Sequence, residues 1–210
     1  GGHPVYARAL ATGQNSNARS FTRNNPIPPL NLNTSPVTLG GKTYILPAYP
    51  SSLPAFDSGN SVRHQATGGS GAITYSSSAP QVAAVDASGF VSARGRGSAT
   101  ITARDGTGQS RSYTVTVTNV IHCHGYGSEN WAGANAKVAA GGARIPSMLE
   151  LHEITVAYSG RWPMGNALYW STESSNYFWP LQGRKTKNLV TGGHSDARTT
   201  GHWANIVGLR

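Results

Sequence analysis

The sequence predicts an all-β, two-sheet sandwich followed by a smaller α+β module. Three observations carry this reading. Residues 72–103 alternate apolar and small polar positions in four short runs separated by turns. All five tryptophans lie beyond residue 120, so the chain changes character there. The only helical patterns with cap signals occupy that same C-terminal part.

Composition narrows the class. A chain of 210 residues holds one or two domains. Its 38% hydrophobic content is enough to build cores and argues against wholesale disorder. With 26 glycines, 12 prolines and only 12% charged residues, it suits turn-rich β structure. The 17 Lys and Arg outnumber 8 acids, giving a formal charge of +9. That balance leaves an anionic polymer open as a partner. The basic residues are scattered apart from Arg184–Lys187 and no basic run carries interleaved aromatics, so no specific nucleic-acid binding is expected. No apolar run reaches the ~18 residues that span a bilayer. The chain opens Gly1-Gly2-His3 without Met, and is expected to be a piece of a longer protein that carries any export signal or anchor elsewhere.

Residues 1–28 lack periodicity and end in the stiff Asn24-Asn-Pro-Ile-Pro-Pro29 stretch, which reads as a tail or linker. Residues 29–119 read as the sandwich. Leu30, Leu32, Val37 and Leu39 fall on early strands, and Tyr44-Ile45-Leu46 precedes a proline-rich crossing, 47–54. A strand over Ser61–Ala66 follows, then Ile73 and Tyr75, and Val82 and Val85. Asp86-Ala-Ser-Gly89 is a tight turn, and Phe90-Val91, 99–103 and 112–118 complete about seven strands, the number expected of such a sandwich. Residues 120–210 read as the α+β module. Ser128 caps a first helix that ends at Gly141-Gly142. Ser147 and Glu150 form a capping box for a second, with Leu151, Ile154 and Tyr158 on one face. Short strands follow at 167–171, 177–179, 187–191 and 203–209.

The run ITYSSSAPQVAAVDASGFVSARGRGSATITA, residues 73–103, resembles the bacterial immunoglobulin-like domain of group 2. The motifs Ala143-Arg-Ile-Pro-Ser-Met-Leu-Glu-Leu151, Leu168-Tyr-Trp-Ser-Thr172 and Ala204-Asn-Ile-Val-Gly-Leu-Arg210 resemble C-type-lectin-like modules at the tips of invasin/intimin-type adhesins. The resemblance implies an immunoglobulin-like sandwich carrying a C-type-lectin-like tip. It further implies an extracellular or bacterial-surface location and non-catalytic binding of a glycan or a protein receptor on a host or neighbouring cell. The chain departs from the family's disulfide, for Gly208 stands where the partner of Cys123 is usual. Cys123 is thereby unpaired, which leaves self-association through an interchain bridge open. The sugar-binding tripeptides of calcium-dependent lectins are absent and the tip's acids are few, so no metal or other cofactor is expected.

His122-Cys123-His124 places two imidazoles on one face of a strand, but no CxxC or HxxxH accompanies it, and a zinc site needs further ligands. Glu150 and Glu153 share a helical face, yet Glu150 is committed to the cap. Gly192-Gly-His-Ser-Asp196 cannot converge as a triad and reads as a surface loop. Trp170 and Trp203 are assigned to the core, and Trp131 to packing of the first helix. The resemblance places the ligand against the long loop region, about 171–200. The candidate ligand-binding residues are Trp162, Glu173, Asn176, Tyr177, Trp179, Arg184, Lys187, Asn188, His194 and Asp196. Loop tryptophans stack on sugar faces or anchor protein interfaces, and amides and cations suit a polar or anionic ligand. Two alternatives stand beside receptor binding: an assembly module that binds a sister protein, and a polyanion binder.

Overall fold

A computed structural model describes residues 26–210; the expected tail lies outside the described residues except for its last three. The N-terminal strands are β1 (Leu30–Asn31), β2 (Val37–Leu39), β3 (Thr43–Ile45), β4 (Ser61–Arg63), β5 (Thr67–Gly68), β6 (Thr74–Ser77), β7 (Ala83–Val85), β8 (Phe90–Ala93), β9 (Gly97–Arg104) and β10 (Ser110–Val117). Then come β11 (Val120–Glu129), α1 (Trp131–Ala140), α2 (Met148–Tyr158), β12 (Leu168–Ser175), β13 (Gly183–Asn188), β14 (His194–Arg198) and β15 (Ala204–Leu209).

The sandwich faces a sheet ordered β2-β10-β9-β6 against a sheet ordered β4-β8-β7. Alternation decides what is buried. Ala99, Ile101 and Ala103 of β9 and Tyr113, Val115 and Val117 of β10 point inward, while their neighbours meet solvent. The turn before β8 is built as expected: Asp86 Oδ1 accepts hydrogen bonds from the Ser88 and Phe90 backbone N–H groups. Gly89 holds φ +78, and a Cβ there would lie 2.9 Å from both the His64 carbonyl oxygen and the Tyr75 ring. Only glycine fits.

The sheet of the C-terminal part is ordered β14-β13-β12-β15-β11-β3. Its two faces carry separate cores, because consecutive strand residues point oppositely. Tyr169 and Val207 pack with Leu151, Ile154 and Tyr158 of α2, while Trp170 and Ile206 pack with Ala134 and Val138 of α1. Each helix thus covers one face.

Strand β3 crosses over. It is expected inside the sandwich, but it pairs parallel with β11, Val120 beside Thr43 and His122 beside Ile45. Ile45 enters the sandwich core, and Tyr44 and Leu46 enter the tip core. The uninterrupted apolar run Tyr44-Ile45-Leu46 reflects this burial on both sides. Further bonds tie the parts together. The Tyr158 hydroxyl donates to the Tyr44 carbonyl (3.0 Å), and the Ala55 N–H donates to the Ala157 carbonyl (2.8 Å).

Several local expectations are corrected. The first helix is capped by Asn130, whose Oδ1 accepts from the Gly133 N–H, because Ser128 and Glu129 extend β11 against Asn205 and Ala204. Residues 177–179 form turns, not a strand. The strand expected at 187–191 ends at Asn188, whose side chain accepts the Val190 and Thr191 N–H groups and turns the chain. His194 to Asp196 lie on β14, where a loop is expected. The capping box of Ser147 and Glu150 forms as expected.

Candidate binding surface

The loop joining β12 to β13 is the most apolar exposed part of the tip. Its geometry follows from tight turns: the Trp179 N–H donates to the Asn176 carbonyl (3.2 Å) and the Leu181 N–H to the Phe178 carbonyl (2.7 Å). Phe178 turns inward, its ring 5.0 Å from that of Tyr177 and 5.7 Å from that of His202, beneath the Arg198 guanidinium. Gly183 closes the loop where a Cβ would meet Phe178 at 3.0 Å. Tyr177, Trp179 and Leu181 are left pointing out, 78%, 82% and 54% exposed. Trp203, beside His202, is 64% exposed. It is assigned to the core by the sequence, but it precedes β15 and its side chain meets solvent. A cleft of about 240 Å³ opens beside Trp179, lined by Asn176, Leu181, Gln182 and Arg184 among others.

The structure brings together Asn176, Tyr177, Trp179 and Arg184. Arg184 is the anchor: it stacks over Trp131 (4.6 Å) and its Nη1 donates to the Thr172 carbonyl and Ser174 Oγ, at 2.7 and 2.9 Å. Glu173 lies on the adjoining strand and pairs with Lys185 at 3.4 Å. The other candidates stand apart. Trp162 is buried (4% exposed) against Tyr158 and Tyr169 and cannot meet a ligand. Lys187 is also buried, its Nζ donating to the Gly192 carbonyl at 2.7 Å, so its ammonium holds a turn and does not face a ligand. Asn188 serves the same turn and bonds Asn166. His194 pairs in register with Lys187 and Asp196 with Lys185, which puts His194 about 13 Å along β13 from Gly183. Leu181 and Trp203 were missing from the sequence-derived set. Leu181 follows Pro180 outside any alternating run, which signals a loop, whereas Trp203 opens the run 203–209 and carries no such signal.

The other constellations resolve structurally. Cys123 is 1% exposed in the tip core, and burial pushes its thiol well above the usual range. A bridge through it to another chain would require unfolding, so self-association by that route is set aside. The His122 Nε2–H donates to the Arg94 carbonyl, and His124 Nε2 accepts from Arg210 Nε (2.9 Å). Burial, and then the charge of Arg210, lowers the His124 pKa. Glu150 pairs with Arg144, whose hydrogen bonds lead in holding its carboxyl below the usual range. Burial raises that of Glu153, but bonds from Tyr44 and Lys42 lower it further. Neither is poised as a general acid. Among the described residues no group of three or more His, Cys, Asp or Glu side chains is gathered for a metal.

Comparison with known proteins agrees with the geometry. The profile of the family described as "Intimin, immunoglobulin-like domain" matches residues 57–107. Intimin of Citrobacter freundii is 48% identical over 61 residues, 29% of this chain and 6% of its own length. The structure of an intimin–Tir90 complex covers 87% of this chain and 97% of its own, at 19% identity and a TM-score of 0.53. A 282-residue C-terminal intimin fragment, solved with the intimin-binding domain of the translocated intimin receptor, covers 85% and 66%, at 19% identity and a TM-score of 0.55. These two likenesses establish the fold.

The class is therefore an immunoglobulin-like sandwich followed by an α+β C-type-lectin-like domain. Residues 57–107 are similar to the intimin immunoglobulin-like family, the two-module fold is the one seen in the intimin fragments, and the chain spans only a small part of the curated intimin it matches. No helix among the described residues is long and apolar enough to cross a membrane.

Proposed function

We propose that residues 29–119 act as a spacer and residues 120–210 as a receptor-binding tip, non-catalytic and independent of calcium, whose ligand is a protein. The observation that carries this reading is the exposed apolar group Tyr177, Trp179, Leu181 and Trp203. Three of them sit on the 176–182 loop, and Trp203 follows His202, whose ring lies 5.7 Å from that of Phe178 in the loop; large exposed aromatic residues are the usual anchors of protein interfaces. The rim is polar, with Asn176, Gln182 and Arg198 around it, as interfaces require. Intimin, whose fold this chain shares, has been solved bound to a protein receptor, which supports a protein ligand here. Calcium independence rests on the tip's acids: Glu129, Glu150, Glu153 and Glu173 are each engaged with a lysine or arginine, which leaves Asp196 alone, and a hard cation needs several oxygen ligands.

A glycan is the second reading, favoured by one feature. The cleft beside Trp179 sets an aromatic wall against Asn176, Gln182 and Arg184, a polar set that suits a sugar. The test is binding of the full chain to target cells treated with protease or glycosidase, at low and high salt, with Trp179→Ala and Trp203→Ala alongside. The full chain is needed because Tyr44 and Leu46 belong to the tip core. Loss after protease, salt resistance, and a drop of at least about tenfold in either variant support a protein receptor contacted by a hot spot. Loss only after glycosidase would replace it with a glycan. Binding abolished by salt and untouched by either substitution would point to polyanion attraction.

A further inference from the structure

Between the strap 46–56 and the sandwich runs an apolar trough far from the tip loop. Two adjoining cavities form it, about 470 and 400 Å³, and they share Leu53, Ala84 and Arg94. Pro47, Pro50 and Leu53 make one wall, Pro80 and Ala84 the other. Arg94 sits where the two lobes meet. Its Nε is buried with no hydrogen-bond partner, and its guanidinium lies 5.5 Å from the Phe56 ring centroid. Among the described residues it joins no ion pair. Arg161 adds a second positive charge at the far end. The trough's acid, Asp86, is turned to its own loop, with Oδ1 accepting from Ser88 and Phe90.

Arg94 is half-buried, and its Nε–H is taken from water with no acceptor in its place, which is costly. The surroundings are fixed: the Arg94 N–H donates to the Val82 carbonyl (2.8 Å), and the His122 Nε2–H donates to the Arg94 carbonyl (3.0 Å). Those bonds hold the backbone, and the fork at the end of the side chain rests against the Phe56 ring. Its geometry matches a carboxylate, which accepts two parallel N–H bonds. The walls beside it match an aliphatic chain, and the volume lies within the range of small-molecule sites.

We propose that this inter-domain trough binds a medium-chain aliphatic carboxylate, its headgroup on Arg94 and its chain along Pro47, Leu53 and Ala84. The site is independent of the receptor surface, so a ligand here can be carried while the tip is engaged.

The test is calorimetric titration of the full chain with dodecanoate below its micellar concentration, and with methyl dodecanoate, which keeps the chain and removes the charge. Arg94→Gln and Ala84→Phe are titrated beside it, with thermal melts to show that each folds. The expected result is saturable one-to-one binding of dodecanoate. It falls at least tenfold in Arg94→Gln and in Ala84→Phe, where the added ring fills the trough, and methyl dodecanoate binds the wild type at least tenfold more weakly. No saturable binding, equal affinity for acid and ester, or affinity unchanged in both folded variants would each overturn the proposal. Should Arg94→Gln fail to fold, the ester comparison and Ala84→Phe decide alone.

Discussion

Strand β3 makes a prediction about cooperativity that the tryptophans can report. All five lie in the tip, so their fluorescence is silent about the sandwich. Ile101 is fully buried in the sandwich core, remote in the fold from every tryptophan. Ile101→Ala removes its packing and leaves a cavity, at a cost of about 2–5 kcal/mol. When the sandwich opens, β3 leaves the tip sheet and takes Tyr44 and Leu46 with it. Fully buried side chains of this size contribute about 1.5–3 kcal/mol each, so the tip loses about 3–6 kcal/mol. Against a domain stability of about 5–15 kcal/mol, that loss removes much of what holds the tip folded. The tip should therefore melt with the sandwich. At about 2–4 °C per kcal/mol for a chain of this size, a 3 kcal/mol lesion lowers the tryptophan-detected midpoint by about 6–12 °C. Thermal unfolding followed in parallel by tryptophan fluorescence and far-UV circular dichroism measures it. A tryptophan midpoint within about 2 °C of wild type, with an early partial transition in dichroism alone, would refute the coupling.

Three further outcomes are expected. In Asp105, burial pushes the carboxyl up, but hydrogen bonds from Ser70, Thr107 and Gln109 pull it down further, to about 2. A depressed folded-state value stabilises above the unfolded pKa near ~4 and is lost as pH falls toward about 2, so an acid melting series should show a loss in that window that Asp105→Asn abolishes. Cys123 should not react with a thiol reagent until denaturant is added, and non-reducing electrophoresis should show no dimer; fast labelling of the native chain would contradict its burial. Ser147→Ala should cost about 1 kcal/mol and lower the midpoint by about 2–4 °C, because it removes the acceptor for the Glu150 N–H; an unchanged midpoint would mean the capping box contributes nothing.

The elements that could be read from sequence are those whose physics is local. The Asp86–Gly89 turn and the Ser147–Glu150 box are made of side chains bonding backbone a few residues away, so spacing alone reveals them. The strands β9 and β10 show a period of two because one face is wet. What failed depended on distant partners. Tyr44-Ile45-Leu46 reads as a sandwich strand, since nothing in its neighbourhood says that its pairing partner is β11, about seventy-five residues on. Ser128 is a good cap in isolation, but β15 claims it for the sheet, and Asn130 takes the role. Tertiary pairing overrode local preference in both cases.

The binding surface shows the same division with a different lesson. Trp162 and Trp179 look alike in sequence, each followed by proline in a loop-like setting. One is buried and the other 82% exposed. The difference lies in where each loop runs: one packs back on the sheet, and the other closes the end of the β12–β13 hairpin. Trp162 directly follows α2, and its ring falls between Tyr158 and Tyr169, where two aromatic edges receive it. Trp179 is carried past the end of the sheet, with Phe178 taking the inward place and Gly183 closing the loop beneath. Phe178 is the half-buried aromatic of the turns, and Tyr177, Trp179 and Leu181 stand out beside it. Replacing Phe178 with alanine should therefore weaken receptor binding although Phe178 meets no receptor, because the turns lose the plug that sets the outward three. The accompanying sign would be a change in the Trp179 fluorescence environment with little change in the melting midpoint. Binding unchanged in Phe178→Ala would show that the exposed residues act without that support.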